Sequence, residues 1–162
     1  MPNTFGQTYV SPASFFSTPA SPTAPASTSA YKCQGLGALI TPVTPSGKVL
    51  AIITGTLNAG QTTVGTGINL QLAYGPISSG VAAPANAAAL PASGTTVGNV
   101  VTWETGVTLT TAADSFVPFT VSAVLTGLTP GQQYWVDLMA ESITTASQCQ
   151  VTIPCVCLVE IG

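Results

Sequence analysis

The chain offers few groups that can do chemistry. It has no histidine, no arginine and two lysines, Lys32 and Lys48, against the acids Glu104, Asp114, Asp137, Glu141 and Glu160. Without histidine there is no Ser-His-Asp triad, no Cys-His pair and no imidazole ligand for zinc. A serine activated by lysine would need Lys32 or Lys48; both precede strands, and neither sits in a recognisable motif. Paired carboxylates can hydrolyse glycosides. Asp137 and Glu141 are the close pair, four residues apart on one strand face, and they read as a solvated or subunit-facing surface. No glycine-rich loop follows a strand and opens a helix, as a phosphate cradle requires. The expectation is a protein that is not an enzyme, with no catalytic residue, no metal site and no cofactor.

The cysteines are Cys33, Cys149, Cys155 and Cys157. The C-x5-C-x-C spacing matches no zinc-ribbon pattern. Three readings stand: buried thiols serving as small apolar residues, one or two disulfides, or a metal site. If a disulfide forms, Cys149 with Cys155 or Cys157 across a terminal hairpin is the pair the sequence favours, because Cys155 and Cys157 share a strand face. Trp103 and Trp135 lie on strands, where a tryptophan either stacks on sugar or fills a core or an interface.

The elements that carry these residues have period two. Ile68, Leu70, Leu72 and Tyr74 alternate with Asn69, Gln71, Ala73 and Gly75. Similar alternation marks Phe119 to Leu125 and Tyr134 to Ala140, with Tyr134, Val136 and Leu138 facing the core. This is the signature of strands with one buried face. Further strands are expected at 35–41, 48–57, 97–104, 107–111, 148–152 and 155–161. No amphipathic helix is found; the Ala-rich stretch 82–92 is bracketed by Pro84 and Pro91 and reads as loop. About eight strands over residues 31–162 predict an all-β domain, a two-sheet antiparallel β-sandwich of the jelly-roll kind. The long loop 75–96 is expected to be functional or to lie over a partner.

Residues 1–30 differ. Pro2, Pro12, Pro19, Pro22 and Pro25 lie among Ser, Thr and Ala, so the segment reads as an extended arm. It also carries Phe5, Tyr9, Phe15 and Phe16, which flexible linkers usually lack. These four are the expected anchors, each seated in a pocket on another chain.

Charge limits the partners. Charged residues make up 4% of the chain, against about a quarter in a typical soluble domain. Two lysines cannot build a basic groove, so neither nucleic acid nor an anionic membrane surface is an expected partner. Mean hydropathy is positive, but no apolar run approaches the ~20 residues of a spanning helix. A surface this poor in charge must be covered by hydroxyl and amide groups or buried against other subunits.

Two resemblances follow. Leu128-Thr129-Pro130-Gly131-Gln132-Gln133-Tyr134 resembles the tyrosine corner of fibronectin type III domains, in which the Tyr hydroxyl bonds back to the backbone. Over residues 33–162, Gly35-Leu36-Gly37, Ile53-Thr54-Gly55, Leu70 to Gly75, Pro84-Ala85-Asn86, Phe119-Thr120-Val121, Gly127 to Gly131, Tyr134 to Leu138 and Val159-Glu160-Ile161 run in an order. That order is similar to small β-rich virion proteins of tailed bacteriophages. These are head decoration (cement), head-fibre and tail-associated proteins, several with jelly-roll or tumour necrosis factor-like trimeric folds. The second resemblance implies a homotrimeric decoration protein on the capsid surface of the virion. It would hold the major capsid protein or other virion subunits through apolar and hydroxyl-rich strand faces. The first implies the alternative, an adhesion or glycan-binding sandwich on a fibre or cell surface.

Overall fold

The computed structural model describes residues 13–20, 30–58, 65–78, 81–104, 116–144 and 149–161. They form strands β1 (Ser14–Ser17), β2 (Lys32–Cys33), β3 (Ala38–Ile40), β4 (Val49–Asn58), β5 (Gly67–Pro76), β6 (Thr95–Glu104), β7 (Phe116–Leu125), β8 (Tyr134–Ser142) and β9 (Gln150–Glu160). Sheet one has the order β1-β9-β4-β7. In sheet two the order is β2-β8-β5-β6, with β3 also on the outer edge of β8. All pairings are antiparallel.

Counting β2 and β3 as one interrupted strand, the first strand pairs with the last, the second with the seventh, the third with the sixth and the fourth with the fifth. This nested pairing is that of a jelly roll. Alternation decides which side chains fill it. Val49, Ala51, Ile53 and Leu57 of sheet one meet Ile68, Leu70, Leu72, Val136 and Leu138 of sheet two in one buried cluster. Tyr134, Val136 and Leu138 face inward as expected. The tyrosine corner is also formed, with the Thr129 N–H donating to the Tyr134 hydroxyl at 3.0 Å. It serves here to lock the β7–β8 connection of a jelly roll rather than a fibronectin-type sandwich.

Several boundaries differ from expectation. Of the strand expected at 35–41 only β3, Ala38–Ile40, forms, separated from β2 at Lys32–Cys33 because Gly35 and Gly37 both take positive φ. A side chain at Gly35 would collide with the Asn86 backbone nitrogen. The two strands expected at 148–152 and 155–161 are one strand, β9. Ile153 and Pro154 lie between Thr152, opposite Thr56, and Cys155, opposite Thr54. Two residues thus face one, a β-bulge that absorbs a proline with no N–H to donate. The bulge moves the inward phase from Val151 to Val156 and Leu158. The strand expected at 107–111 lies outside the described residues.

The arm boundary needs correction too. Ser14–Ser17 form a strand of sheet one, in register with Val159, Leu158, Cys157 and Val156. Residues 13–20 therefore belong with the sandwich, although most of the rest of 1–30 lies outside the described residues. Loop 75–96 does not wait for a partner. It folds over the outer face of sheet two, where Ile77, Ala83 and Leu90 pack on a second cluster of Cys33, Ala73, Trp135 and Met139. Backbone bonds fasten it: Cys33 donates to Ala88 at 2.8 Å, Ala87 to Cys33 at 2.9 Å and Ile77 to Gln133 at 2.8 Å.

Two expectations test this packing. Leu138 is fully buried between the sheets; Leu138→Ala should cost about 2–5 kcal/mol as a core cavity, measured by denaturant unfolding, and a cost below ~1 kcal/mol would contradict the register. Deleting residues 1–30 removes β1 and the Phe15 ring from the core. The truncated chain should melt several degrees below the full chain, by calorimetry.

Candidate assembly surface

The four strands of sheet one show solvent the positions that alternate with the core. The register sets them in rows. Ser14, Val159, Leu50 and Val124 are successive neighbours across β1, β9, β4 and β7. Phe16, Cys157, Ile52 and Ser122 form the next row, and Cys155, Thr54 and Thr120 the one after. None of these side chains carries charge. Phe16 is 70% exposed, Phe116 59%, Val124 44% and Val159 40%. An antiparallel sheet with one solvated face normally alternates apolar with polar residues. Here apolar residues occupy both phases of β4, from Val49 to Ile53.

Sheet two is the contrast. Trp135 and Met139 face outward from β8, as Leu50 and Ile52 do from β4, but the loop covers them and both are buried. Gly75 is required beneath this cover, since a Cβ there would lie 2.7 Å from the Trp135 ring. Trp135 is thus a core residue of a second layer, unavailable for stacking on sugar. Trp103 is half-buried against the main cluster.

The other singled-out residues are placed as follows. Phe5 and Tyr9 lie outside the described residues. Phe15 packs against the chain's own core, which corrects its expected role as an anchor on another chain. Phe16, on the opposite side of β1, is the most exposed aromatic of the bare face. Among the described residues, which include all four cysteines, no disulfide is formed. The expected terminal hairpin does not exist, so Cys149 lies on the same extended run as Cys155 and Cys157 rather than across from them. Burial pushes the Cys33 thiol up to about 12, helped by the nearby Asp137 carboxylate, and burial alone pushes Cys149 up to about 11. Both stay protonated at neutral pH and act as small apolar groups. Cys155 and Cys157 are half-exposed on the bare face.

Asp137 and Glu141 do not form a surface pair. Asp137 is 1% exposed. Its carboxylate accepts the N–H of Gly35 at 2.9 Å, of Leu36 at 3.1 Å and of Leu138 at 2.8 Å. Glu160 does similar work at the end of sheet one. It accepts from Ala13 at 2.8 Å, Val43 at 2.8 Å, Thr44 N–H at 2.6 Å and the Thr44 hydroxyl at 2.7 Å. Spacing gave no warning of either role. The one available signal was rarity: an acid retained on a strand of a nearly uncharged chain.

No protein-family model matches the chain, and no curated protein matches it at a significant level. The bare face of sheet one, defined by geometry alone, is the surface left to account for.

The two buried carboxylates generate a pH expectation. Burial raises the Asp137 pKa from 3.8 to about 6, against the pull of its three backbone bonds. A raised folded-state pKa gives stability that is full below the unfolded value and lost as pH rises through about 6, worth roughly 3 kcal/mol. For Glu160, burial also acts upward, but the bonds from Ala13, Thr44 and Val43 outweigh it and lower the pKa. Its stabilisation is present above the ordinary carboxylate value and lost as pH falls through the folded value. The melting temperature should therefore rise on acidification from pH 7 to about 4 and fall at lower pH. Asp137→Asn should flatten the first slope and Glu160→Gln the second, by calorimetry across that range.

Proposed function

We propose that the protein is a structural subunit whose work is to bury the outer face of sheet one against other proteins. The observation that supports this is the pairing of a covered outer face on one sheet with an outer face on the other that, among the described residues, is uncharged, largely apolar and uncovered. Isolated apolar side chains on a surface are ordinary; a contiguous set across four strands marks an interaction site. The resemblance to tailed-phage virion proteins gives this reading its setting. On it, the protein is a capsid decoration subunit, trimeric, held on the head surface against the major capsid protein or other virion subunits.

Magnitudes bear on how such a subunit would hold. Burying each large apolar side chain contributes about 1.5–3 kcal/mol. Half a dozen on one face give at most roughly 9–18 kcal/mol if fully buried, against an association cost of about 4–15 kcal/mol. One copy on one face is thus marginal, whereas copies linked in a trimer bind with avidity. This supports a multivalent, mechanical role.

The test places charge on the face without touching the core. Ile52→Lys and Val124→Lys lie on outward positions of β4 and β7. Each should leave the fold intact by circular dichroism. In a binding assay on stripped particles, and in sedimentation of the free protein, each should weaken association at least tenfold. Undiminished association in both variants would sink the reading.

A further inference from the structure

The chemical character of the outer face of sheet one selects its partner. Among the described residues two further rows complete the face: Thr152, Thr56 and Pro118, then Gln150, Asn58 and Phe116. Five rows thus cross the sheet, and none of their side chains carries charge. The rows at the Val124 end are mostly apolar. Those toward Phe116 are richer in hydroxyl and amide groups, and the Thr56 and Thr152 hydroxyls share a hydrogen bond at 2.7 Å. Typical soluble proteins are about a quarter charged residues, and these lie at their surfaces. A charged side chain pressed onto this face would lose its water and find no opposite charge, which is costly. The face therefore suits a partner that is itself almost free of charge. This chain, at 4% charged, is such a protein.

The groups present also suit self-pairing. In a two-fold contact a patch meets its own copy, so a charge near the axis meets its like. A hydroxyl or an amide carries both a donor and an acceptor and can bond to another of its kind, whereas a carboxylate only accepts and an ammonium only donates. Rows of threonine with apolar neighbours are thus complementary to themselves. The extent is sufficient too. Strands β4 and β7 have 10 residues each, β9 has 11 and β1 has 4. At ~3.4 Å per residue and ~4.8 Å per strand these cover roughly 570 Å². A pair of such faces buries about 1,100 Å², above the ~1,000 Å² expected of a specific interface. The inner strands of the sheet are β9 and β4. The third of the five rows holds Cys155 on β9 and Thr54 on β4, which are therefore the centre of the face.

We infer that the outer face of sheet one binds the same face of a second copy, sheet on sheet, about a two-fold axis that passes beside Thr54 and Cys155. Packed sheets lie about 10 Å apart with strand directions within about 30° of each other, so the pair is a stack of four sheets. Cys155 and Cys157, half-exposed in the single chain, lie inside the contact. This rests on the assembly reading of the face and names its partner; a threefold assembly is then built through other surfaces.

The test uses the full chain over a range of concentrations. Sedimentation equilibrium should show a monomer passing to a dimer. Over the same range, alkylation of Cys155 and Cys157 by iodoacetamide, read by mass spectrometry, should slow at least fivefold, with the buried Cys33 and Cys149 unreactive throughout. Thr54→Lys and Thr54→Glu, each checked for fold by circular dichroism, should each weaken the dimer at least tenfold. An equimolar mixture of the two should restore it, because opposite charges then meet across the axis. A mixture that associates no more tightly than its components overturns the two-fold axis. A dimer whose Cys155 and Cys157 stay reactive pairs through another surface and overturns the inference, as does a trimer. Thiols blocked at every concentration mean that the chain covers the face itself, and overturn it too. A monomer at every concentration overturns the inference alone if Ile52→Lys and Val124→Lys still weaken binding to stripped particles; undiminished binding in both sinks the assembly reading with it.

Discussion

Two carboxylates hold the parts of this chain that the sheets cannot. Asp137 gathers the backbone N–H groups of Gly35 and Leu36, where the strand along the β8 edge is broken. Glu160 gathers those of Ala13, Val43 and Thr44, where the N-terminal strand and the β3–β4 connection converge. Backbone donors outside a ladder still need partners when buried, and an ionised acceptor gives the strongest bonds. The opposite pKa directions of the two groups show different balances. At Asp137 burial dominates; at Glu160 the bonds do. In a chain that is 4% charged, these two residues place the edges of both sheets, and the edges place the faces.

The faces then diverge. Sheet two spends its loop on itself: Trp135 and Met139 are roofed by Ile77, Ala83 and Leu90, and the outer side becomes a second small core. Sheet one has no such roof among the described residues, yet β4 is apolar on both sides. The same residue types thus serve two ends, internal cohesion on one sheet and an exposed apolar surface on the other. The difference lies in the connections between strands rather than in the strands.

This explains what could and could not be read from the sequence. Strands β5, β7 and β8 were legible because apolar residues alternate along them, and β4, expected at 48–57 and found at 49–58, was legible as a short continuous apolar run. The tyrosine corner was legible because its turn chemistry is local. Strand β1 was not: four residues of alternation are hidden in a stretch whose prolines signal irregular chain. Continuity through β9 was hidden by Pro154, which normally ends a strand but here occupies a bulge. The burial of Trp135 could not be read, because the loop that covers it has no periodicity. Asp137 and Glu160 were visible as acids, but the donors they serve come from distant segments. The bare face itself was half legible. The run Val49 to Ile53 shows a strand apolar on both sides, but not which side stays open.

The nested pairing of strands has a consequence for how the molecule is made. Strand β1 is synthesised before every other described strand, yet its ladder partner β9 is synthesised after all of them. The cluster that Phe15 joins is built in part from β9 residues Val156 and Leu158. A chain of such high contact order closes slowly, and until β9 has been made Phe15 and Phe16 are both without their ladder partners. Sheet one is therefore completed late, and its outer face comes into being only after the strand farthest along the chain has joined the one nearest its start. A chain that still lacks β9 has no such face to present.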